Sequence, residues 1–280
     1  MTRPRPAPIR PLGVAEILDE AVRLVRRNLR AVLVVSVPFA IVQAGLAALL
    51  QYATIDPTNV ATVGVLGTLL VGLALGTVLT GLLAPLFSID LLGTRISARE
   101  SVQRVGRRIW ALILLAVVVT VAEGAGLVAL VVGGVWLWGL WAVAAPALVL
   151  EGTGVRDALS RSLRLVRGTF WRAWGIRALG WLLLTVLRLF IGLPVEALAA
   201  WVTGSDLLGN NPSISSPAVY VAIVAVGAVV SGALLTPISA AIDVLLYTDL
   251  RMRKEGMDIV LALPPLPDVP DAGRPAVSAW

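Results

Sequence analysis

Two ionisable side chains lie deep inside long apolar stretches of the 280-residue sequence. Glu123 and Arg188 are about 21 and 15 Å from the start of their stretches, at 1.5 Å per helical residue. A charge inside a bilayer costs about 2.5–3.5 kcal/mol on insertion scales, so such residues are usually paired or functional. We therefore predict an intramembrane ion pair between Glu123 and Arg188, which is either structural or part of a substrate-binding site.

Three further acids, Asp90, Glu151 and Asp243, share a position near the C-terminal end of an apolar stretch. The helix dipole disfavours an acid at this end unless a cation compensates for it. Arginine-rich segments next to the apolar stretches can supply that cation. We predict that each of these interfacial acids clamps an apolar helix to a neighbouring amphipathic helix.

Arginines at helical spacing could bind anionic lipid headgroups. The candidate lipid contacts are Arg23, Arg26, Arg27, Arg161, Arg164 and Arg167. All basic residues except Arg188 fall in clusters that flank apolar stretches, a distribution typical of membrane proteins. We expect the lipid bilayer, and anionic lipids in particular, to be the partner, and we expect no nucleic acid.

Other chemistries have little support in the composition. The chain has no Cys and no His, which excludes disulfides, thiol nucleophiles and the usual zinc sites. The composition does not exclude metal sites built from carboxylates alone. No phosphate-binding loop or nucleophile motif occurs in a suitable context. We expect no cofactor, no metal and no catalytic residue, and therefore a non-enzymatic role.

The elements that position these candidate residues are predicted to be membrane helices. Hydrophobic residues make up 58 % of the chain and charged residues only 14 %, against about 25 % charged in a soluble domain. A bilayer core needs about 20 helical residues per crossing. The sequence predicts six transmembrane helices, near 31–52, 61–92, 109–131, 134–150, 178–201 and 217–247, of which the fourth is short.

The basic clusters also predict the orientation. They precede the first span, separate the second from the third and the fourth from the fifth, and follow the sixth. The opposite connections, at 53–60, 132–133 and 202–216, carry no basic residue. By the positive-inside rule, both termini are cytoplasmic and the protein is a multi-pass protein of the plasma membrane.

Three amphipathic segments precede the odd-numbered spans. The first covers 16–30, and the second begins with the capping-box pattern of Ser97 and Glu100. The third carries an apolar stripe formed by Leu159, Leu163, Val166 and Phe170. Each segment predicts an interfacial helix with its apolar face towards lipid; a helix packed on its own bundle is the alternative.

These pieces recur along the chain. The segment EILDEAVRLVRRNLR at 16–30 aligns with DALSRSLRLVRGTFW at 157–171. Proline-bearing spans end in APLFSID at 84–90, APALVLE at 145–151 and TPISAAID at 236–243. The simplest description is three parallel helical-hairpin repeats, each with an amphipathic helix, a span and a proline-bearing span.

Two stretches carry a family resemblance: RPLGVAEILDEAVRLVRRNLR at 10–30 and LLYTDLRMRKEGMDIVL at 245–261. With EGTGVRDALSRSLRLVRG at 151–168, the chain resembles the glycerophosphoryl diester phosphodiesterase membrane domain family of bacteria over most of 10–262. Some relatives fuse this region to a soluble phosphodiesterase with catalytic His residues. A chain without His cannot supply them, so the resemblance implies ancestry and location and carries over no catalytic residue.

The predicted organisation is one helical membrane domain at 12–262 between disordered proline-rich tails at 1–11 and 263–280. We predict a non-enzymatic module that organises lipids or a partner protein at the cytoplasmic face. The alternative is a transporter or channel for a small or lipidic solute. A water-filled cavity that reaches Glu123 would favour the alternative.

Overall fold

The computed structural model describes residues 12–53, 60–129, 131–204 and 217–256. The described residues form ten helices and no strand: α1 Val14–Arg27, α2 Leu29–Ala53, α3 Val60–Leu91, α4 Ala98–Gly106, α5 Ile109–Ala129, α6 Val131–Leu140, α7 Ala144–Glu151, α8 Val155–Val166, α9 Phe170–Thr203 and α10 Pro217–Glu255. The predicted tails at 1–11 and 263–280 lie outside the described residues, as do residues 257–262 of the predicted domain.

Six segments are long and apolar enough to cross a membrane, as predicted: Leu29–Leu50, Leu66–Leu91, Ile109–Ala129, Val131–Glu151, Phe170–Thr203 and Ala218–Glu255. The protein is therefore an all-α membrane protein. The fourth segment consists of α6 and α7 with a turn between them. The fifth begins at Phe170 rather than near residue 178, so Arg172 and Arg177 belong to the helix and not to a connection.

The element order repeats three times, as the sequence pattern predicts. The first unit is α1 to α3, the second α4 to α7, and the third α8 to α10; each ends in a span that contains a proline, at Pro85, Pro146 or Pro237. Each short helix packs on the last span of the preceding unit: α4 on α3, α8 on α7, and α1 on α10. Because α1 contacts α10, the last unit contacts the first. We call the end of the bundle that carries α1, α4 and α8 the amphipathic end.

The apolar faces of the short helices are turned to the protein's own spans and not to lipid, which corrects the predicted interfacial orientation. Ser162 on α8 is fully buried and donates its hydroxyl to Leu140 O at 2.7 Å. Ser101 on α4 does the same to Leu82 O at 2.7 Å. A small, hydrogen-bonded serine lets each helix approach a span closely. The buried stripe is therefore rotated from the predicted one, and Leu163 is 39 % exposed.

Pro237 is accommodated by a side chain from another span. A proline inside a helix removes the hydrogen bond to the carbonyl four residues earlier, which here belongs to Ala233. The buried Ser36 on α2 donates its hydroxyl to that carbonyl at 2.9 Å. The irregularity of α10 thus fixes its position against α2.

Glycines bring α5 and α6 into backbone contact. A Cβ on Gly134 would lie 2.7 Å from Leu127 N and 2.8 Å from Glu123 O. A Cβ on Gly126 would lie 2.9 Å from Gly134 N. Small residues allow this approach between membrane helices. The contact holds the backbone of Glu123 against α6.

We expect Gly134→Ala to lower the free energy of unfolding by about 1–3 kcal/mol, because the added methyl group must separate two backbones. Gly192→Ala on α9 is the control, since its Cβ would meet no atom within 4 Å. The control should leave stability unchanged or raise it by up to about 1 kcal/mol, the gain in helix propensity. Thermal unfolding in detergent measures both, and equal stabilities would contradict the backbone contact.

Candidate functional site

The six spans enclose a central cavity with a volume of about 290 Å³. Every span contributes to its wall. The polar side chains that line it are Gln43, Thr68, Thr77, Thr80, Glu123, Arg177, Arg188, Thr236, Ser239 and Asp243. A membrane protein concentrates polar groups in its interior when they serve a pathway or a binding site, and this cavity is therefore the candidate site.

Arg177 and Asp243 form an ion pair in the cavity wall. Arg177 Nε donates to Asp243 Oδ1 at 2.9 Å, and Nη2 lies 3.4 Å from Oδ2. Arg177 Nη1 also donates to Trp138 O. The guanidinium carbon lies 4.6 Å from the centre of the Trp138 ring, within the range of a cation–π contact. The pair links α9, α10 and α6.

Glu123 and Arg188 line the same cavity, but the predicted ion pair between them is wrong. Arg188 Nη2 donates to Thr236 Oγ1 at 3.3 Å. Among the described residues, no ion pair joins Arg188 to Glu123 or to any other acid. The physical reason is helix order: α6 packs against both α5 and α9, which carry these two residues.

An apolar crevice of about 730 Å³ adjoins the cavity between α3, α5, α6 and α9. Glu123, Trp138 and Trp181 line both spaces. The crevice reaches the outside of the bundle, because its wall includes Val121 and Val128, which are 63 % and 76 % exposed. A polar chamber thus lies beside an apolar opening on the lipid-facing side, and Glu123 belongs to the wall of both spaces.

The predicted clamps at Asp90 and Glu151 are confirmed. Arg27 Nη2 on α1 lies 3.2 Å from Asp90 Oδ2, and Arg161 Nε on α8 donates to Glu151 Oε1 at 2.8 Å. Burial lowers the pKa of Arg161, but its hydrogen bonds to Glu151 and Glu255 outweigh this effect and raise that pKa overall. The third clamp differs from the prediction, because the cation at Asp243 comes from the span α9 and not from an amphipathic helix.

The six predicted lipid contacts divide into two groups. Arg27 and Arg161 are bound to acids within the protein and are only 27 % and 20 % exposed at the side chain. They are structural, which corrects the prediction for these two residues. Exposed arginines make up the second group, and they can still meet lipid: Arg23, Arg26, Arg164 and Arg167.

Asp249 belongs to none of the predicted sites, but the structure shows that its side chain is fully buried. Its carboxylate accepts hydrogen bonds from Leu12 N at 2.9 Å, Arg253 Nε at 2.9 Å and Arg172 Nη2 at 3.3 Å. The spacing of Asp249 and Arg253 by one helical turn could have indicated the pair. The contact with Leu12, more than two hundred positions away, leaves no local signal.

Comparison with known proteins gives no relative: no family model, curated protein or solved structure matches the chain. The resemblance to the glycerophosphoryl diester phosphodiesterase membrane domain family stays a prediction.

Proposed function

We propose that this protein is a non-enzymatic membrane transporter for a lipidic solute, whose polar group enters the central cavity while its apolar part stays in the crevice. The observation that carries the proposal is that the two spaces lie side by side and share Glu123 in their walls. Ligand sites typically combine a mostly apolar wall with a few placed polar groups. A lipidic solute could enter the cavity from the side through the crevice without leaving the bilayer.

We also propose a plasma-membrane location with the amphipathic end in the cytoplasm. Basic residues of the third unit contact the start of the first unit and one another's helices at this end. Arg172 Nη2 donates to Leu12 O at 2.6 Å, and Lys254 Nζ donates to Arg164 O at 2.8 Å. Grouping of these cations on one side supports an inside location under the positive-inside rule.

A second candidate function, the organisation of anionic lipid at the amphipathic end, has its own supporting observation. An apolar groove of about 970 Å³ lies between α6 and the junction of α8 and α9, and Arg167 is part of its wall. Trp136, Phe170, Trp171 and Trp174 also line it. The engagement of Arg27 and Arg161 in internal ion pairs makes this function the weaker candidate.

Filling the cavity tests the first proposal. Gly76 lines it, and a Cβ there would meet no atom within 4 Å. We expect Gly76→Leu to occupy the space that the solute needs without a clash at its Cβ. The measurement is transbilayer movement of phosphatidylglycerol labelled on one acyl chain, in proteoliposomes treated with dithionite. Wild-type protein should accelerate this movement, and Gly76→Leu should abolish the acceleration.

Gly45→Leu on α2 is the matched control. A Cβ at Gly45 also meets no atom within 4 Å, and Gly45 lies outside the cavity wall on an exposed face. This variant should transport like the wild type, and thermal unfolding should show that both variants are folded. Equal transport by a folded Gly76→Leu variant and the wild type, or no acceleration by the wild type, would overturn the proposal and favour lipid organisation.

A further inference from the structure

The two arginines of the central cavity differ in the hydrogen-bond and ion-pair partners of their guanidinium groups. Arg177 donates hydrogen bonds to the Asp243 carboxylate and to Trp138 O. Arg188 makes one hydrogen bond with the described residues, to the neutral Thr236 hydroxyl. A guanidinium has five N–H donors and no acceptor. Arg188 therefore keeps most of its donors for another partner.

An unpaired cation in the membrane interior is unfavourable, because the surroundings solvate it poorly. Asp243 does not relieve the charge of Arg188, since it is already bound to Arg177. Glu123 forms no ion pair with Arg188 in the described chain, although both line the cavity. An anionic group brought by a ligand would supply the missing counter-charge.

Two hydroxyl groups line the cavity on α10, the helix that Arg188 contacts. Thr236 and Ser239 are one turn apart on α10, so they lie on the same face of that helix, and both line the cavity. The Thr236 oxygen accepts from Arg188, which leaves its hydroxyl proton for an anion. A guanidinium with hydroxyl donors beside it is suited to phosphate or carboxylate.

We propose that Arg188, with Thr236 and Ser239, binds the phosphate or carboxylate group of an anionic amphipath whose apolar tail lies in the crevice. This inference rests on the proposed function and names the chemical class of its solute. The tail passes the residues shared by cavity and crevice, which are Leu69, Leu73, Glu123, Trp138 and Trp181. A neutral or zwitterionic amphipath with the same tail lacks the net charge that Arg188 requires.

Binding to the purified full chain in a neutral detergent tests the proposal with three probes. Dodecyl phosphate carries both the anion and the tail, dodecylphosphocholine carries the same tail with a zwitterionic head, and inorganic phosphate carries the anion alone. Dodecyl phosphate should bind most tightly. Arg188→Gln should weaken it by about tenfold to a hundredfold, the loss expected for charge-assisted hydrogen bonds, whereas Arg188→Lys should lose less.

Two controls make the result specific. Arg30→Gln removes an exposed arginine outside the cavity and should leave all affinities unchanged. Glu123→Gln should raise the affinity for dodecyl phosphate, because the anionic head no longer has to pass an acidic side chain in the wall of the cavity. Thermal unfolding checks that each variant is folded.

Several outcomes would overturn the inference. Unchanged dodecyl phosphate affinity in a folded Arg188→Gln variant would show that Arg188 does not bind the anion. A loss of affinity in Glu123→Gln as large as in Arg188→Gln would show that the ligand is not simply anionic. If either result occurs while Gly76→Leu still abolishes lipid movement, the transport proposal stands and only the assignment to Arg188 fails.

Discussion

Replacement of Asp243 by asparagine is expected to lower the free energy of unfolding by about 3–5 kcal/mol, the range for breaking a buried ion pair by removal of one partner. Asp243 is only 5 % exposed, and its carboxylate binds Arg177 through both oxygens. Asparagine keeps the size of the side chain but leaves Arg177 with an uncompensated charge. Thermal and denaturant unfolding in detergent would measure the loss.

A double-mutant cycle shows whether the loss belongs to the pair. Arg177→Leu combined with Asp243→Asn removes both charges and should be more stable than either single variant. Asp19→Asn is the control for removal of an acid, because Asp19 meets Arg23 on the surface with 76 % of its side chain exposed. Exposed pairs of this kind contribute little, so a loss for Asp19→Asn comparable to that for Asp243→Asn would contradict the role of burial.

The spans and the order of the repeats could be predicted because their signals are local. Long apolar runs fix the six crossings, and the capping box places the start of α4, where Ser97 Oγ accepts from Glu100 N at 3.2 Å. The acids at the ends of the proline-bearing spans were also visible, since a helix C-terminus needs a cation. Asp90 and Glu151 obtain it from the predicted amphipathic helices.

The partners of the charges inside the spans could not be predicted, because they depend on which helices are neighbours. Glu123 and Arg188 were the obvious opposite charges in the membrane interior, but α6 packs between their helices. The sequence predicts a connection at Arg177, because a charged residue interrupts the apolar stretch that follows it. The helix α9 starts at Phe170, and this start brings Arg177 to Asp243.

The cavity also has no signature in the sequence. The ten polar lining residues named above come from five of the six spans, one to three from each, and half of them are Thr or Ser, which are common in membrane helices. Thr77 and Thr80 each donate to a carbonyl of their own helix, at 2.9 Å. Such residues can equally well face lipid, so only the packing of the six spans shows that they surround one space.

Asp249→Asn is expected to lower the free energy of unfolding by about 3 kcal/mol, at the lower end of the range for a broken buried ion pair. The Asp249 side chain is fully buried, but Arg172 and Arg253 are 28 % and 33 % exposed, so water can partly solvate the charges that the substitution leaves. The substitution should also weaken the attachment of α1, because the hydrogen bond that Asp249 Oδ1 accepts from Leu12 N at 2.9 Å loses the negative charge that strengthens it. Thermal unfolding measures the first effect, and hydrogen exchange over α1 measures the second.

The second effect separates a specific attachment from a general loss of stability. Asp249 lies on α10, which α1 packs against, and Arg172 on α9 donates to Leu12 O at 2.6 Å. Asp249 therefore connects the start of the first unit to both spans of the last one. Exchange should rise first in α1, while α5 and α6 stay protected. Asp157→Asn is the control, because it removes an exposed acid from the first turn of α8. It should lower the free energy of unfolding by at most about 1 kcal/mol and leave exchange in α1 unchanged. Unchanged α1 protection in Asp249→Asn would show that Asp249 does not hold the first unit to the last.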